Sequence, residues 1–246
     1  MLLNELIQRS PIRIFEQSIQ GGLKNGEIGV IASPNGVGKT SVLVQLAMDK
    51  LLQGKKVIHV SFTHAALASQ YKQYVPLWYE DIFSEFTSRK NLENAAEVKN
   101  DLVKNRVLMT FNQDGVTREQ VLKSLRAMII DGGFPADSII IDGLDFSRLS
   151  KEGVTVVKSF AAELGLSVWY SCTVKDNDPK FNNSSIPAIL DEIADSIDII
   201  ITLQPKPDYV ELSILKDRKS VLPKGGSADQ LTAMRLDPKT LLILEA

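Results

Sequence analysis

The chain has 246 residues, 24% of them charged and 44% hydrophobic, which fits one soluble globular domain large enough to bury a sizeable core. Its 28 basic and 30 acidic residues leave a net charge of −2, so any contact with nucleic acid or acidic lipid needs a local patch rather than a global pull. One cysteine, Cys172, excludes an internal disulfide and a CxxC pair, and two histidines leave little from which to build a zinc site.

Met1–Gln8 contains Asn4 and Glu5 and has no basic start followed by an apolar run, so it does not read as a signal peptide. No apolar run approaches the ~20 residues that span a bilayer. The expectation is a cytoplasmic chain with no membrane partner. The sequence has no internal repeat and no linker that splits it, so residues 1–246 are expected to form a single domain.

Short apolar runs alternate with amphipathic segments, the pattern of an α/β fold whose mostly parallel sheet is flanked by helices. The first predicted strand is Glu27–Ala32. A helix follows from about Thr40 to Gln53, with Leu43, Leu46, Ala47 and Leu51 on one face and Gly54 as its stop. Lys56–Ser61 reads as a strand, residues 64–104 as helices with a polar break near Ser88–Asn91, and Arg106–Phe111 as a strand. Thr117 and Gln120 form a capping box ahead of a helix whose buried stripe is Val121, Leu122, Leu125, Met128 and Ile129. Ser138–Asp142 is a strand buried on both faces, a helix ends at Gly165, and Leu166–Ser171 is again a strand. Residues 173–185 read as loop, Ile186–Ala194 as a short helix and Ile197–Leu203 as a strand. Tyr209–Lys216 alternates and is expected to pair antiparallel with that strand across Gln204–Asp208. Leu231–Leu236 and Thr240–Glu245 flank Asp237-Pro238-Lys239, which predicts a hairpin at the C-terminal end.

Two segments carry chemistry. Ser33-Pro34-Asn35-Gly36-Val37-Gly38-Lys39-Thr40 lies between a strand and a helix, the frame a phosphate-cradling loop requires. Gly36 and Gly38 let backbone N–H groups point inward, and the following helix adds its N-terminal donors and dipole. Pro34 through Ser41 are therefore the candidate nucleotide-binding residues. Lys39 is the candidate cation for the β and γ phosphates, and the Thr40 hydroxyl a candidate Mg²⁺ ligand. The first position of the loop, usually Gly, is Ser33. The second segment is Ile139-Ile140-Ile141-Asp142, a buried strand ending in an acid. Asp142 is the candidate carboxylate that holds the Mg²⁺ water shell. The implied cofactors are ATP and Mg²⁺.

These residues resemble the RecA/KaiC/RadA superfamily of P-loop ATPases, which includes DnaB-type helicases. The likeness begins at Gly21-Gly22-Leu23-Lys24-Asn25-Gly26-Glu27, similar to the lead-in before that family's loop, and continues through Val57–Phe62. Val174-Lys175-Asp176 is also RadA-like. Lys216-Asp217-Arg218 is similar to a K-x-R element that, in the family's rings, reaches the γ-phosphate held by a neighbouring subunit. The resemblance thus implies catalytic roles for Lys216 and Arg218 and a homo-oligomer; the alternative for both residues is a solvated strand end. It covers about residues 15–220 and implies the ATPase core alone, without the family's zinc-finger, helicase N-terminal or protease-like domains.

Two departures stand out. The family's water-activating Glu at the end of the strand after the P-loop helix is replaced by Ser61-Phe62-Thr63-His64, and Gly143, not Glu, follows Asp142. The Gln that ends the strand after the acidic one has Cys172 near its place. A general base contributes roughly 10²–10⁴-fold, so binding with slow hydrolysis is expected, with His64 or Asp145 as substitute bases. The leading expectation is a weak Mg²⁺-dependent ATPase acting in a ring or other self-assembly. The alternative is a non-hydrolysing ATP sensor that orders a surface for a protein partner. DNA binding ranks third: Lys175 and Lys180 in the 173–185 loop are balanced by Asp176 and Asp178, and the more basic stretch Lys216, Arg218, Lys219, Lys224 overlaps the proposed nucleotide element. The aromatic group Tyr71, Tyr74, Trp78 and Tyr79 reads as packing of the helical layer, or as a partner surface.

Overall fold

The computed structural model describes residues 11–64, 66, 68–88, 94–183, 185–221, 234–240 and 242–244. Strands β1 (Ile28–Ser33), β2 (Val57–Thr63), β3 (Arg106–Asn112), β4 (Ser138–Asp142), β5 (Ser167–Thr173) and β6 (Ile199–Pro205) pair in parallel in the order β3-β2-β4-β5-β1-β6. β7 (Val210–Asp217), β8 (Ser220–Val221), β9 (Met234–Leu236) and β10 (Ile243–Leu244) extend the sheet antiparallel beyond β6. The protein is thus the α/β fold its alternating pattern predicts, with a mostly parallel sheet flanked by helices and a C-terminal hairpin. No helix among the described residues is long and apolar enough to cross a membrane.

Strand burial explains the hydrophobic runs. β1, β2 and β4 are buried at every position, because helices cover both faces. On one face lie α1 (Pro11–Ser18), α2 (Lys39–Leu52), α3 (Ala68–Ser88) and α4 (Ala95–Lys104). On the other lie α5 (Arg118–Arg126), which runs into a π turn over Ala127–Asp131, and α6 (Lys151–Leu164). The capping box at Thr117 and Gln120 forms as predicted, and Gly165 ends α6 in the left-handed conformation.

The sequence and the structure differ at three places. Residues 173–185 contain a one-turn helix, α7 (Pro179–Asn182), because the Asp178 side chain accepts from the N–H groups of Lys180 and Phe181 and Pro179 pre-sets the first turn. Ile186–Ala194 is not a helix but holds the 3₁₀ turn Ala188–Leu190, started at Pro187. A second 3₁₀ turn, Ala194–Ser196, follows at its end. The third difference is α2, predicted to be amphipathic and in fact buried at thirteen of its fourteen positions. Residues 89–91 of the predicted polar break, residues 231–233, 241 and 245 of the predicted hairpin, Lys224, Met1–Gln8 and the Tyr71 side chain lie outside the described residues.

A helix buried on all sides must satisfy its polar residues internally. Gln45 accepts from the Ile243 N–H at 2.9 Å, docking the C-terminal hairpin. Asp49 pairs with Arg13 at 2.9 Å and Lys50 with Glu16 at 3.0 Å, docking α1. Glu16 and Asp49 are nearly inaccessible, and Asp49 Oδ1 has no hydrogen-bond partner among the described residues. Burial first, and then the neighbouring Glu16 carboxylate, push Asp49 up to about 6. A carboxylate whose folded pKa is raised binds its proton more tightly in the folded than in the unfolded chain. Its contribution to stability is therefore full below about pH 4 and is lost as pH rises through about 6. The unfolding free energy of the wild type should consequently fall relative to that of Asp49→Asn between pH 4 and 7, measured by urea denaturation at a series of pH values. A pH-independent difference between the two proteins would contradict this.

Candidate functional site

The loop Ser33–Gly38 leaves the carboxyl end of β1 and enters α2, the edge at which open parallel sheets bind ligands. Gly38 caps α2 with φ +113°, a conformation that demands glycine, and a Cβ there would meet Leu236 Cδ2 at 2.6 Å. Leu236 of β9 thus braces the loop from the side of the C-terminal hairpin. Asn35 and Gly36 are exposed, Pro34, Val37 and Thr40 half-buried, and Lys39 and Ser41 buried.

The strand order of the sheet places β5 between β1 and β4, and α2 crosses above it. Thr40, at the start of α2, therefore stands over the end of β4. Its hydroxyl donates to Asp142 Oδ2 at 2.8 Å, joining residues 102 positions apart. Along β4, Ile139 and Ile141 face α5 and α6, while Ile140 and Asp142 face α2. Gly143 turns the chain after Asp142 with φ +79°, its N–H donating to Ser171 Oγ at 2.9 Å. A Cβ at Gly143 would lie 2.5 Å from the Phe62 carbonyl oxygen.

Lys39 Nζ donates to the carbonyl oxygens of Pro34 (2.7 Å) and Ser33 (3.1 Å) and contacts Ser33 Oγ at 3.3 Å. Ser33, the departure from the usual glycine, thus helps hold the ammonium inside the loop. Burial lowers the Lys39 pKa, and the Asp142 carboxylate opposes that shift. An ammonium drawn back by neutral carbonyls and poorly solvated gains from an arriving anion. Beside the loop lies an open groove of about 490 Å³ lined by Asn35 and by Thr173, Val174, Lys175, Asp176 and Asn177, a size suited to a small-molecule ligand.

The donor set suits Mg²⁺. A hydroxyl and a carboxylate, both hard oxygen ligands, are held within 2.8 Å of each other beside a buried cation. Among the described residues no group of three or more His, Cys, Asp or Glu could hold a metal by itself.

Thr63, at the end of β2, lies on the same strand face as Ser61, which pairs with Asp142 across β2 and β4. Thr63 is buried and donates to the His64 carbonyl oxygen at 3.3 Å. His64 is exposed and bonded to Asp114 (2.9 Å) and Gln113 (3.3 Å). Asp145 accepts from the N–H of Ser147 at 3.0 Å and lies 3.5 Å from Arg148. Both substitute bases are thus engaged in one polar cluster at the carboxyl ends of β2, β3 and β4.

Cys172 is not on the loop's face of the sheet. It packs among Val30, Ala32 and Val174, and burial pushes its thiol up to about 12. The β5 residues on the loop's side are Ser171, which holds Gly143, and Thr173, which lines the groove. The period of two along a strand separates 171 and 173 from 172, but which pair faces the loop needs the register with β1. His59 also escaped the sequence reading. It is fully buried in β2, Nδ1 lies 3.1 Å from the Tyr79 hydroxyl, and burial pushes it down to about 4, so it is neutral. Tyr79 is thereby a core residue, while Tyr74 is exposed and Trp78 half-buried.

Lys216 and Arg218 lie at the opposite end of the sheet, because β7 runs antiparallel to β6 and Asp217 pairs with Ile199. The six residues of β1 put roughly 20 Å between that end and the loop. Lys216 Nζ donates to the carbonyl oxygens of Ala194 (2.5 Å) and Ile197 (2.6 Å). Arg218 forks onto both oxygens of Glu27 (2.9 and 3.0 Å) and also reaches Asp217, Ile19 and Gly22. These side chains neither join the loop nor stand solvated; each closes contacts within its own chain, Arg218 from a left-handed φ of +56°. Neither a family model nor a curated protein matches the sequence, so the site is read from this geometry.

The Glu27 fork makes Arg218 a clasp between β7 and the lead-in to β1. Arg218→Ala should lower unfolding free energy by about 2 kcal/mol, read by chemical denaturation. A variant as stable as wild type would release Arg218 for the role in a neighbouring site that the resemblance implies.

Proposed function

We propose that this protein binds a nucleoside triphosphate, ATP, with Mg²⁺ at the Ser33–Ser41 loop and turns it over slowly. The observation that carries the reading is the Thr40–Asp142 hydrogen bond, which brings two oxygen ligands from distant segments together beside Lys39. Backbone N–H groups of Asn35 to Thr40 and the start of α2 would donate to phosphate oxygens, and Lys39 would exchange its bonds to Ser33 and Pro34 for the β and γ phosphates. Thr40 would ligate Mg²⁺ directly and Asp142 would hold its water shell. The ion, when bound, supplies charge neutralisation at the phosphates. Thr173 and Lys175 border the groove beside the loop and would flank the nucleotide.

The side chains at Thr63 and Gly143 favour slow turnover. Neither can take a proton from water, and His64 and Asp145 make their hydrogen bonds within the exposed cluster of Gln113, Asp114 and Ser147. The same observation supports a second reading, a nucleotide sensor in which binding rather than hydrolysis is the signal. Self-assembly, a protein partner and a place in the cytoplasm remain part of the proposal through the resemblance to RecA/KaiC/RadA ATPases. Lys216 and Arg218 contribute through the fold rather than the pocket. Nucleic acid is not favoured, since Lys180 is paired with Asp191 at 2.5 Å.

Calorimetric titration of ATP·Mg²⁺ into wild type and Lys39→Ala tests the proposal. The variant should bind roughly 10- to 100-fold more weakly while its melting temperature holds. Equal affinity in the two proteins would place the nucleotide elsewhere or nowhere. Under the same conditions, turnover that stays slow supports the reading, and a rate typical of efficient enzymes, about 10 s⁻¹, would reveal a base not assigned here.

A further inference from the structure

On the face of the sheet away from the loop, an apolar cleft of about 160 Å³ opens between β2, β4 and β5 on one side and α5 and α6 on the other. Phe62, Val121, Leu125, Ile141, Phe160 and Tyr170 form its walls. Gln113, Thr117, Arg118 and Arg148 stand among the polar residues that line it. A cavity of similar volume lined by aliphatic and aromatic side chains holds a benzene-sized ring in another protein.

One wall is chemically unfinished. Tyr170 is 2% exposed and its ring packs edge-to-face on Phe146. Its hydroxyl makes no hydrogen bond with any described residue. That oxygen is not among the sealed, unpartnered side-chain atoms of the described residues, so its donor is open to whatever fills the cleft. A donor kept at the wall of a ring-sized apolar cleft is the arrangement that selects a ring bearing one oxygen.

We propose that this cleft is a binding site for a small uncharged aromatic molecule carrying a hydroxyl or carbonyl oxygen, the ring lying between Leu125 and Phe160 and its oxygen accepting from Tyr170. The apolar walls exclude a charged head group from the interior. Arg148 lies 3.5 Å from the carboxylates of both Asp114 and Asp145, and Arg118 pairs with Glu119 at 3.0 Å, so both guanidinium groups already have carboxylate partners and an anion is not called for. The site is separate from the nucleotide proposal and stands or falls without it.

The test uses 4-fluorophenol and 4-fluorotoluene, near-isosteric rings with and without the oxygen, followed by ¹⁹F NMR titration of the full chain. The wild type should bind 4-fluorophenol saturably at or below about 1 mM and 4-fluorotoluene several-fold more weakly. Tyr170→Phe should weaken 4-fluorophenol about five-fold, leave 4-fluorotoluene unchanged, and leave the melting temperature equal or higher, since no protein hydrogen bond is lost. Val121→Phe, which fills the cleft, should abolish both. Absence of saturable binding by either ring in the wild type overturns the proposal, as does an unchanged 4-fluorophenol affinity in Tyr170→Phe, which would mean that water alone satisfies the hydroxyl. Failure of both rings to bind, with Val121→Phe changing the mass in solution, would make the cleft a contact between chains, and the proposal would again be wrong.

Discussion

The Thr40 hydroxyl and the Asp142 carboxylate meet at 2.8 Å, and the fold is arranged around making that contact. It requires α2 to lean across β5, which in turn requires a fully buried α2 with cover on every side. α1, α3, α4 and the C-terminal hairpin supply that cover, each anchored to a polar or apolar residue of α2. The loop residue Gly38 is held from outside by Leu236, near the far end of the chain. The candidate site is therefore not a loop grafted onto a sheet edge. It is the place where the first strand, the fourth strand and the last hairpin converge.

The opposite end of the sheet is closed by charge. Arg218 holds Glu27 with two hydrogen bonds, Lys158 pairs with Asp198 at 2.8 Å, and Lys216 satisfies two carbonyl oxygens of the 194–197 segment. These groups are partly or largely buried, so their loss leaves unpaired charge in a poor solvent, which costs more than a surface ion pair returns. The two ends of the sheet thus carry different work. One end spends its polar residues on holding strands in place, and the other leaves a lysine, a hydroxyl and a carboxylate in reach of an open groove.

Much of this was legible in the sequence because it follows from local rules. A strand buried on both faces needs a continuous apolar run, and Ser138–Asp142 is read to the residue. The Thr117 capping box and the Gly165 stop are likewise short-range signals. The loop's glycines mark positive φ, which the structure gives at Gly36 and Gly38. What stayed hidden depends on long-range pairing. The resemblance gave Lys216 and Arg218 the phosphates; the antiparallel pairing of β6 with β7, itself expected from the alternating pattern, puts them at the other end of the sheet, where their partners Glu27 and the 194–197 carbonyls are distant in sequence. Cys172 stands at the right distance along β5, yet register puts Ser171 and Thr173 on the loop's face instead. Asp49 and Lys50 look like the solvated face of an amphipathic helix until α1 is seen to cover them.

The central claim is that Thr40 and Asp142 form one Mg²⁺-dependent phosphate site with Lys39. Titrating ATP with and without Mg²⁺ into wild type and Asp142→Asn measures it directly. The account predicts that Mg²⁺ tightens ATP binding by about 10-fold or more in the wild type, and that the variant loses that gain while its metal-free affinity persists. An equal effect of Mg²⁺ on both proteins, or no effect on the wild type, would contradict it.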